Sequence, residues 1–174
     1  MTTPSQEERA WHVDANDQPI GDGWQLRDGA TNWQNYRAIN VFIKNHEGKL
    51  WIPRRTKYKR AFPECLDMSV SGYVDWPETY DEACAREMRE ELNLDASTLT
   101  LTNLGYVGPQ QIPELSAFMQ VYEIQMNESP RYNPDDFTGA EWLSPDELRA
   151  RILNGEKTKG DLPHLLNHFY PAQT

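Results

Sequence analysis

Alternating apolar and polar residues along the chain predict a series of short strands. Such alternation is typical of a strand that buries one face against a core. Two strands around an Asn-Asp turn are predicted within residues 11–20, and further strands span residues 37–44, 49–54, 67–74, 99–107 and 115–124. The turn sequence Asn-His-Glu-Gly at residues 45–48 predicts that the strands on either side of it form a hairpin.

A helix is predicted from the capping signals at its start. Thr79 is followed three residues later by Glu82, which makes a capping box, so the helix should begin near Tyr80. Its apolar stripe consists of Ala85, Met88 and Leu92. A stripe with this helical spacing indicates that the helix packs on a sheet.

Two more helices are predicted near the end of the chain. Ser144 and Glu147 form a second capping box with proline in the first helical position, and this helix should end near residues 154–155. Asp161 is predicted to cap a last helix that runs to Phe169. Strands interleaved with helices predict an α/β fold, with a mixed sheet packed between helices.

The length and charge of the chain predict one acidic domain. With 174 residues the chain can bury a substantial core, so residues 11–174 are expected to form a single domain behind a disordered tail of residues 1–10. The formal net charge of −10 argues against a protein that binds nucleic acid through a broad basic surface.

The sequence also predicts a cytoplasmic protein. No apolar run approaches the length needed to span a membrane, and residues 1–10 lack the apolar segment of a secretory signal. Cys65 and Cys84 are the only cysteines, and they lack the CxxC spacing of a metal or redox site. Two cysteines of this kind are typical of a reducing compartment. Cys84 borders the apolar stripe and is interpreted as a small core residue.

Acidic side chains crowd one face of the first predicted helix. Glu87, Glu90 and Glu91 are spaced i, i+3 and i+4, which places them on the same face. Like charges this close repel each other and cost folding stability unless a cation neutralises them. Mg²⁺ and Mn²⁺ prefer carboxylate oxygen and keep positions open for phosphate. The face therefore predicts a divalent metal site, against the common alternative of a solvated acidic face.

Residues 72–94 resemble the Nudix box, G-x5-E-x7-R-E-U-x-E-E-x-G-U, in which U is a bulky apolar residue. The matching positions are Gly72, Glu78, Arg86, Glu87, Met88, Glu90, Glu91 and Leu94. The one departure is Asn93, where the box has a second glycine. Asn is the side chain that, after glycine, best tolerates the left-handed backbone that closes a helix, so the departure weakens the resemblance little.

The resemblance implies the Nudix fold, an α/β/α sandwich with a mixed β-sheet, over roughly residues 37–154. It also implies a hydrolase that depends on Mg²⁺, with Mn²⁺ as a substitute. Such an enzyme cleaves the pyrophosphate linkage of nucleoside diphosphates, triphosphates or related X-linked diphosphates. The expected partner is therefore a small diphosphate or nucleotide substrate.

The resemblance also implies roles for individual residues. The implied metal ligands are Gly72, through its carbonyl, Glu87, Glu90 and Glu91. Arg86 pairs with the carboxylates and holds them in place. The family assigns its catalytic base inconsistently, so Glu87, Glu90 and the loop residue Glu114 all remain candidates.

A positive patch lies upstream of the box. Arg54, Arg55 and Lys59 belong to the densest group of cations in this acidic chain. We expect them to bind the substrate diphosphate, because Arg offers paired donors to phosphate oxygens. The alternative is a charged hairpin edge that keeps the protein from aggregating.

The order RR…K…FP…D.SV.G, which begins at Arg54 and ends at Gly72, resembles the isopentenyl diphosphate isomerase branch of the family. That branch has a catalytic cysteine before the box glycine and a metal-binding histidine after it, whereas this chain has Ser71 and Tyr73. A hydroxyl does not replace a thiolate in proton transfer to carbon, so hydrolysis is favoured. A non-catalytic nucleotide-binding module is disfavoured because every box acid is present. Removal of 5′ caps from RNA is disfavoured by the net charge.

Overall fold

The structure is a computed structural model that describes residues 9–26 and 35–172. Most of the predicted tail of residues 1–10 lies outside the described residues, but Arg9 and Ala10 belong to the first strand. Within the described part of the chain, no helix is both long enough and apolar enough to cross a membrane.

Strands and helices follow one another in an order close to the predicted one. The strands are β1 (Arg9–Val13), β2 (Pro19–Leu26), β3 (Tyr36–Lys44), β4 (Leu50–Arg55), β5 (Val70–Tyr73), β6 (Leu101–Val107), β7 (Ala117–Gln125) and β8 (Phe137–Leu143). The helices are α1 (Tyr80–Leu92), α2 (Pro145–Leu153) and α3 (Leu162–Phe169), with a 3-10 turn at Ala96–Thr98. β5 is shorter than predicted. β8 was not predicted, because Gly139 and Ala140 interrupt its apolar pattern.

A six-stranded mixed sheet forms the centre of the protein. Its order is β6-β7-β3-β4-β8, and β5 also pairs with β3. The predicted hairpin of β3 and β4 pairs only at its turn, where Lys44 lies opposite Leu50. Between Ala38 and Val41, β3 pairs instead with β5. This exchange of partners places Gly72 of β5 beside the centre of the sheet.

Helices cover both faces of the sheet, as predicted. Phe42 of β3 packs in one core with Leu148 of α2 and Leu165 of α3. Val41, the preceding residue, packs in the other core with Met88 of α1. Successive residues of a strand point to opposite faces, so one strand supplies both cores. The fold is therefore an α/β/α sandwich with a mixed sheet.

β1 and β2 form a separate antiparallel ribbon that contacts the domain near the start of α1. Asp17, at the turn of the ribbon, accepts a hydrogen bond from the Arg37 Nε atom at 2.6 Å and another from the Tyr106 hydroxyl at 2.8 Å. The Trp11 indole N–H donates to the carbonyl of Glu78 at 2.8 Å. The ribbon therefore stabilises the loop that precedes α1.

Both predicted ends of α1 are confirmed. Thr79 and Glu82 form the capping box, with hydrogen bonds in both directions. Asn93 adopts the left-handed conformation with a φ of 54°, and its N–H donates to the carbonyl of Arg89. The Asn93 side chain also donates to the carbonyl of Arg131 at 2.8 Å, a contact that glycine could not make.

The apolar face of α1 differs slightly from the predicted stripe. Met88 and Leu92 are buried as predicted, whereas Ala85 is only partly buried and Ala83 packs in the core instead. Cys84 is buried, and this burial raises the pKa of its thiol to about 12. The thiol therefore stays protonated at neutral pH, which agrees with its interpretation as a core residue.

The predicted capping of α2 is confirmed, whereas the predicted capping of α3 is not. The capping box of Ser144 and Glu147 is present at the start of α2. Asp161 stands at the capping position of α3, as predicted, but its side chain makes no capping hydrogen bond. That carboxylate lines a cavity instead.

We expect Asn93→Val to destabilise the protein, because a β-branched side chain is strained in the left-handed conformation, which costs an ordinary residue about 1–2 kcal/mol. Asn93→Gly should be close to neutral, since the relief of strain is offset by loss of the hydrogen bond to Arg131. Urea denaturation measures both changes in unfolding free energy. Arg89→Val, at an exposed helical position of α1, is the control and should cost well under ~1 kcal/mol. Equal stability of Asn93→Val and the native chain would contradict the assignment of this cap.

Candidate active site

A compact turn brings the acidic face of α1 against β5. The Asp75 N–H donates to the Glu78 carboxylate at 3.1 Å, and the Glu78 N–H donates to the Asp75 carbonyl at 2.6 Å. The chain reverses direction in this turn, and α1 packs directly on β5. The strand, loop and helix predicted around the metal site are therefore present.

Glu87 lies against Gly72 at a distance that no other residue at position 72 would allow. A Cβ atom built on Gly72 would stand 2.0 Å from both Cδ and Oε1 of the Glu87 side chain. The absence of a side chain at Gly72 creates the space that the carboxylate occupies. The first residue of the motif is therefore required by steric contact rather than by backbone conformation.

Arg86 holds the carboxylates of the motif together. Its Nε and Nη2 atoms donate to the two oxygens of Glu78 at 2.8 and 2.9 Å. Its Nη1 atom donates to Glu87 at 2.7 Å and lies 3.4 Å from Glu90, and Nη2 also donates to the carbonyl of Tyr73 at 2.9 Å. The arginine thus links the helix to the loop and to the end of β5.

Glu91 is a buried acid beside another acid. Its residue is 5% exposed, and one carboxylate oxygen accepts a hydrogen bond from the Ser71 N–H at 3.2 Å. Burial, followed by repulsion from Glu87 and Asp67, raises the pKa of Glu91 well above its ordinary value. Burial and repulsion of this carboxylate therefore destabilise the folded protein, and a bound cation would relieve both effects.

Glu87 and Glu91 face a cavity of about 290 Å³. Charged side chains from distant parts of the sequence line it: Arg55, Lys59, Glu87, Glu91, Lys159 and Asp161. The half-exposed rings of Phe62 and Tyr73 also line the cavity. A cavity lined by both acids and cations is suited to a small anionic ligand bound together with a metal ion.

Two of the three predicted phosphate-binding residues line this cavity. The Arg55 guanidinium donates to Asp67 at 2.6 Å and to the carbonyls of Ala61 and Phe62. Lys59 forms an ion pair with Asp136. The structure thus places Arg55 and Lys59 at the same cavity as the acids of α1.

Arg54 does not line the cavity. Its guanidinium forms an ion pair with Glu156 at 3.0 Å and donates to the carbonyl of Glu64 at 2.9 Å. Neighbouring residues of a strand point to opposite faces, which agrees with Arg55 lining the cavity while Arg54 does not. The alternation of side chains along β4 could have predicted that the two arginines lie on opposite faces of the strand.

Glu90 and Glu114 also lie outside the cavity lining. The Glu90 side chain is 59% exposed, although it lies near Arg86 on the outer edge of the same helix face. Glu114 is exposed in the loop before β7. Residues spaced i and i+4 lie more directly above one another than residues spaced i and i+3, so Glu87 and Glu91 enter the cavity while Glu90 stays at its edge.

The residues present fit a magnesium ion. Across residues 9–26 and 35–172, no three His, Cys, Asp or Glu side chains are grouped closely enough to hold a metal by themselves. Mg²⁺, however, is commonly bound by one or two protein carboxylates, with waters and substrate phosphate as the remaining ligands. Two buried carboxylates that face a cavity beside the backbone of Gly72 match that pattern.

A sequence model of the NUDIX domain matches residues 34–165, which include the whole of the segment 72–94. A Nudix hydrolase of Deinococcus radiodurans is 44% identical to this chain over 164 residues, which cover 94% of this chain and 95% of the relative. The chain belongs to the NUDIX family. The predicted family and enzyme class are thereby confirmed, and the protein is a Nudix hydrolase.

Solved structures support the same family. A crystal structure of a D. radiodurans protein matches this Nudix fold with a TM-score of 0.89 at 45% identity, and the match covers 94% of this chain and 99% of that protein. The isopentenyl-diphosphate Delta-isomerase of Klebsiella pneumoniae is 25% identical over 135 residues, covering 75% of this chain and 73% of the relative. The likeness to the isomerase branch is therefore distant.

Sequence reasoning did not assign two charged residues of the Nudix cavity, Lys159 and Asp161, to the site. The Lys159 ammonium donates to the Ser71 hydroxyl at 2.7 Å. Burial alone lowers the pKa of Lys159, but Asp67 and Asp161 outweigh it and raise that pKa, so the side chain is a cation at neutral pH. No local pattern marks these residues, because only the tertiary fold brings them to the box.

We expect Gly72→Ala to destabilise the protein by about 1–3 kcal/mol, because the new methyl group must displace the Glu87 carboxylate. In the Glu87→Ala background the same change should cost much less, since the clashing group is gone. Urea denaturation of the two single variants and the double variant measures this coupling. Gly139→Ala is the control, because a Cβ atom there meets nothing within 4 Å. Additive effects of Gly72→Ala and Glu87→Ala would contradict the contact.

Glu91→Gln should stabilise the metal-free protein near neutral pH. As pH rises above the ordinary glutamate pKa, the unfolded chain releases the Glu91 proton before the folded protein does, and this release favours unfolding. Glutamine cannot ionise, so the advantage of the variant should grow from acidic to neutral pH and vanish below the ordinary pKa. Urea denaturation at several pH values with a chelator tests this. A difference that does not depend on pH would contradict it.

Proposed function

We propose that this Nudix hydrolase cleaves the pyrophosphate linkage of nucleoside diphosphates, nucleoside triphosphates or related X-linked diphosphates, with Mg²⁺ as its cofactor and Mn²⁺ as a substitute. The observation that carries the proposal is the cavity in which the buried acids Glu87 and Glu91 face the cations Arg55 and Lys59. Acids that suit a divalent ion and cations that suit phosphate therefore share one space.

Glu87 and Glu91, together with the Gly72 carbonyl, are the proposed metal ligands, and Glu90 is a further ligand at the exposed edge. A bound Mg²⁺ polarises phosphoryl oxygens and lowers the pKa of an attacking water. Arg86 keeps Glu87 in place through the 2.7 Å hydrogen bond. Such chemistry depends mainly on positioning and charge neutralisation, which these residues supply before substrate arrives.

The proposed roles of the cations differ. Arg55 is already bonded to Asp67 and to two loop carbonyls, so it orders the loop that carries Phe62 and contributes positive charge. Among the described residues Lys59 pairs with one carboxylate, that of Asp136, and it keeps donor protons for a phosphate oxygen. Arg54 is assigned no role in substrate binding, since it lies outside the cavity.

Features of the cavity favour hydrolysis over isomerisation. Ser71 replaces the cysteine of the isomerase branch. Its hydroxyl accepts a hydrogen bond from the Lys159 ammonium and lies 3.4 Å from the Oδ1 atom of Asp67. Cys65 is buried and does not line the cavity. A proton transfer to carbon would therefore lack a thiolate, whereas attack by water at phosphorus requires only the acids of the box. The same intact acids argue against a non-catalytic module.

We expect Glu87→Gln and Glu91→Gln each to reduce hydrolysis by at least about a hundredfold, because each removes a charge that stabilises the transition state. The measurement is the release of phosphate and pyrophosphate from a panel of nucleoside and non-nucleoside diphosphates with Mg²⁺. Glu128→Gln, at an exposed loop position, is the matched control and should keep full activity. In ¹⁸O-water the label should enter a phosphate product.

Two results would overturn the proposal. One is full activity of both variants at saturating Mg²⁺. The other is deuterium incorporation into an allylic product from isopentenyl diphosphate in D₂O, without release of phosphate from any nucleotide.

A further inference from the structure

The segment of residues 157–161 forms one wall of the cavity through backbone pairing. The Leu66 N–H donates to the Lys157 carbonyl at 2.9 Å, and the Lys159 N–H donates to the Leu66 carbonyl at 2.8 Å. Thr158, between the two lysines, forms a parallel bridge with Leu66. The backbone of Lys159 is thus held in place next to the chain that leads into β5.

The side chain of Lys159 points into the cavity. Its ammonium donates to the Ser71 hydroxyl at 2.7 Å and lies 3.9 Å from the nearer oxygen of Asp67. The side chain is 19% exposed, and it shares the cavity with Glu87 and Glu91. Removal of an ammonium group from water raises the free energy of the folded state unless an anion lies close to it.

Lys159 differs from the other two cations of the cavity in its partners. Arg55 donates to a carboxylate at 2.6 Å, and Lys59 forms an ion pair with Asp136. The carboxylate nearest to Lys159 is Asp67, which is already bonded to Arg55, and its closest partner is the neutral hydroxyl of Ser71. An ammonium has three protons, so Lys159 retains donor capacity toward the cavity.

We propose that Lys159 is a substrate-binding residue whose Nζ atom donates to a terminal oxygen of the substrate's diphosphate group. The proposal rests on the proposed function, since it takes the cavity as the place where a diphosphate binds. It adds a cation from residues 157–161 to those supplied by β4 and its loop. The diphosphate would then lie in the cavity that Lys159 shares with Glu87 and Glu91. The competing account is purely structural, with Lys159 serving only to neutralise Asp67 and Asp161.

The test uses methylenediphosphonate, a diphosphate analogue that is not hydrolysed, and measures its binding by calorimetry in the presence of Mg²⁺. Lys159→Met keeps the length of the side chain and removes the charge, and it should weaken binding about ten- to a hundredfold, as expected for loss of a hydrogen bond to a charged group. Lys159→Arg should retain most of the affinity. Lys157→Met is the matched control, because Lys157 is exposed two residues away; it should bind as the native chain does.

A second measurement needs no variant of Lys159. Amine acetylation of the native protein, followed by mass spectrometry, reports the reactivity of each lysine with and without methylenediphosphonate and Mg²⁺. The analogue should protect Lys159 and leave Lys157 unchanged. If Lys159→Met does not fold, this protection experiment alone decides whether Lys159 contacts the diphosphate analogue.

The outcomes separate this proposal from the proposed function. If the native protein binds the analogue but Lys159→Met binds it equally well, or Lys159 is not protected, the role of Lys159 is overturned while the hydrolase proposal stands. If the native protein does not bind the analogue with Mg²⁺, the role of Lys159 is overturned as well, whereas the hydrolase proposal is decided by the release of phosphate and pyrophosphate from the substrate panel.

Discussion

The carboxylate of Glu87 occupies the space in which any other residue at position 72 would place its Cβ atom, and the site is organised by this contact. Because Gly72 admits the carboxylate, α1 can pack directly on β5 with an acid in the interface. Arg86 then bonds Glu87, Glu78 and the Tyr73 carbonyl, which links the helix, the loop and the strand. A glycine, an arginine and an acid therefore have to occur together.

The position of Glu87 beside Glu91 causes repulsion between two carboxylates, and the proposed divalent ion would relieve it. Glu87 and Glu91 are buried side by side, and such an arrangement costs stability in the metal-free protein. A divalent ion would convert that repulsion into attraction, and the free energy of binding would stabilise the fold. A site arranged for catalysis is thus less stable than one optimised for folding alone, as is common in enzymes. Arg55, Lys59 and Lys159 line the same cavity and are the proposed partners of the anionic part of the substrate.

The topology explains why cations and acids meet at this point. β5 pairs with β3 beyond the point where β4 separates from it. Arg55, at the end of β4, and Lys59, in the segment between β4 and β5, line the cavity together with the acids of α1. The segment that contains Lys159 pairs with Leu66 and closes the other side. Segments that are far apart in sequence therefore build one pocket beside the motif helix.

The sequence by itself determined the features that depend on neighbours within a few residues. The capping box of α1, its left-handed end at Asn93 and the shared face of Glu87 and Glu91 all follow from local hydrogen bonding and helical periodicity. Only the tertiary structure decided that Arg55 faces the cavity while Arg54 does not, and that Lys159 reaches Ser71. Alternation along β4 indicates that Arg54 and Arg55 lie on opposite faces, but it does not say which face borders the cavity. That choice, and the approach of Lys159 to Ser71, depend on pairing between distant segments, which leaves no pattern in the local sequence.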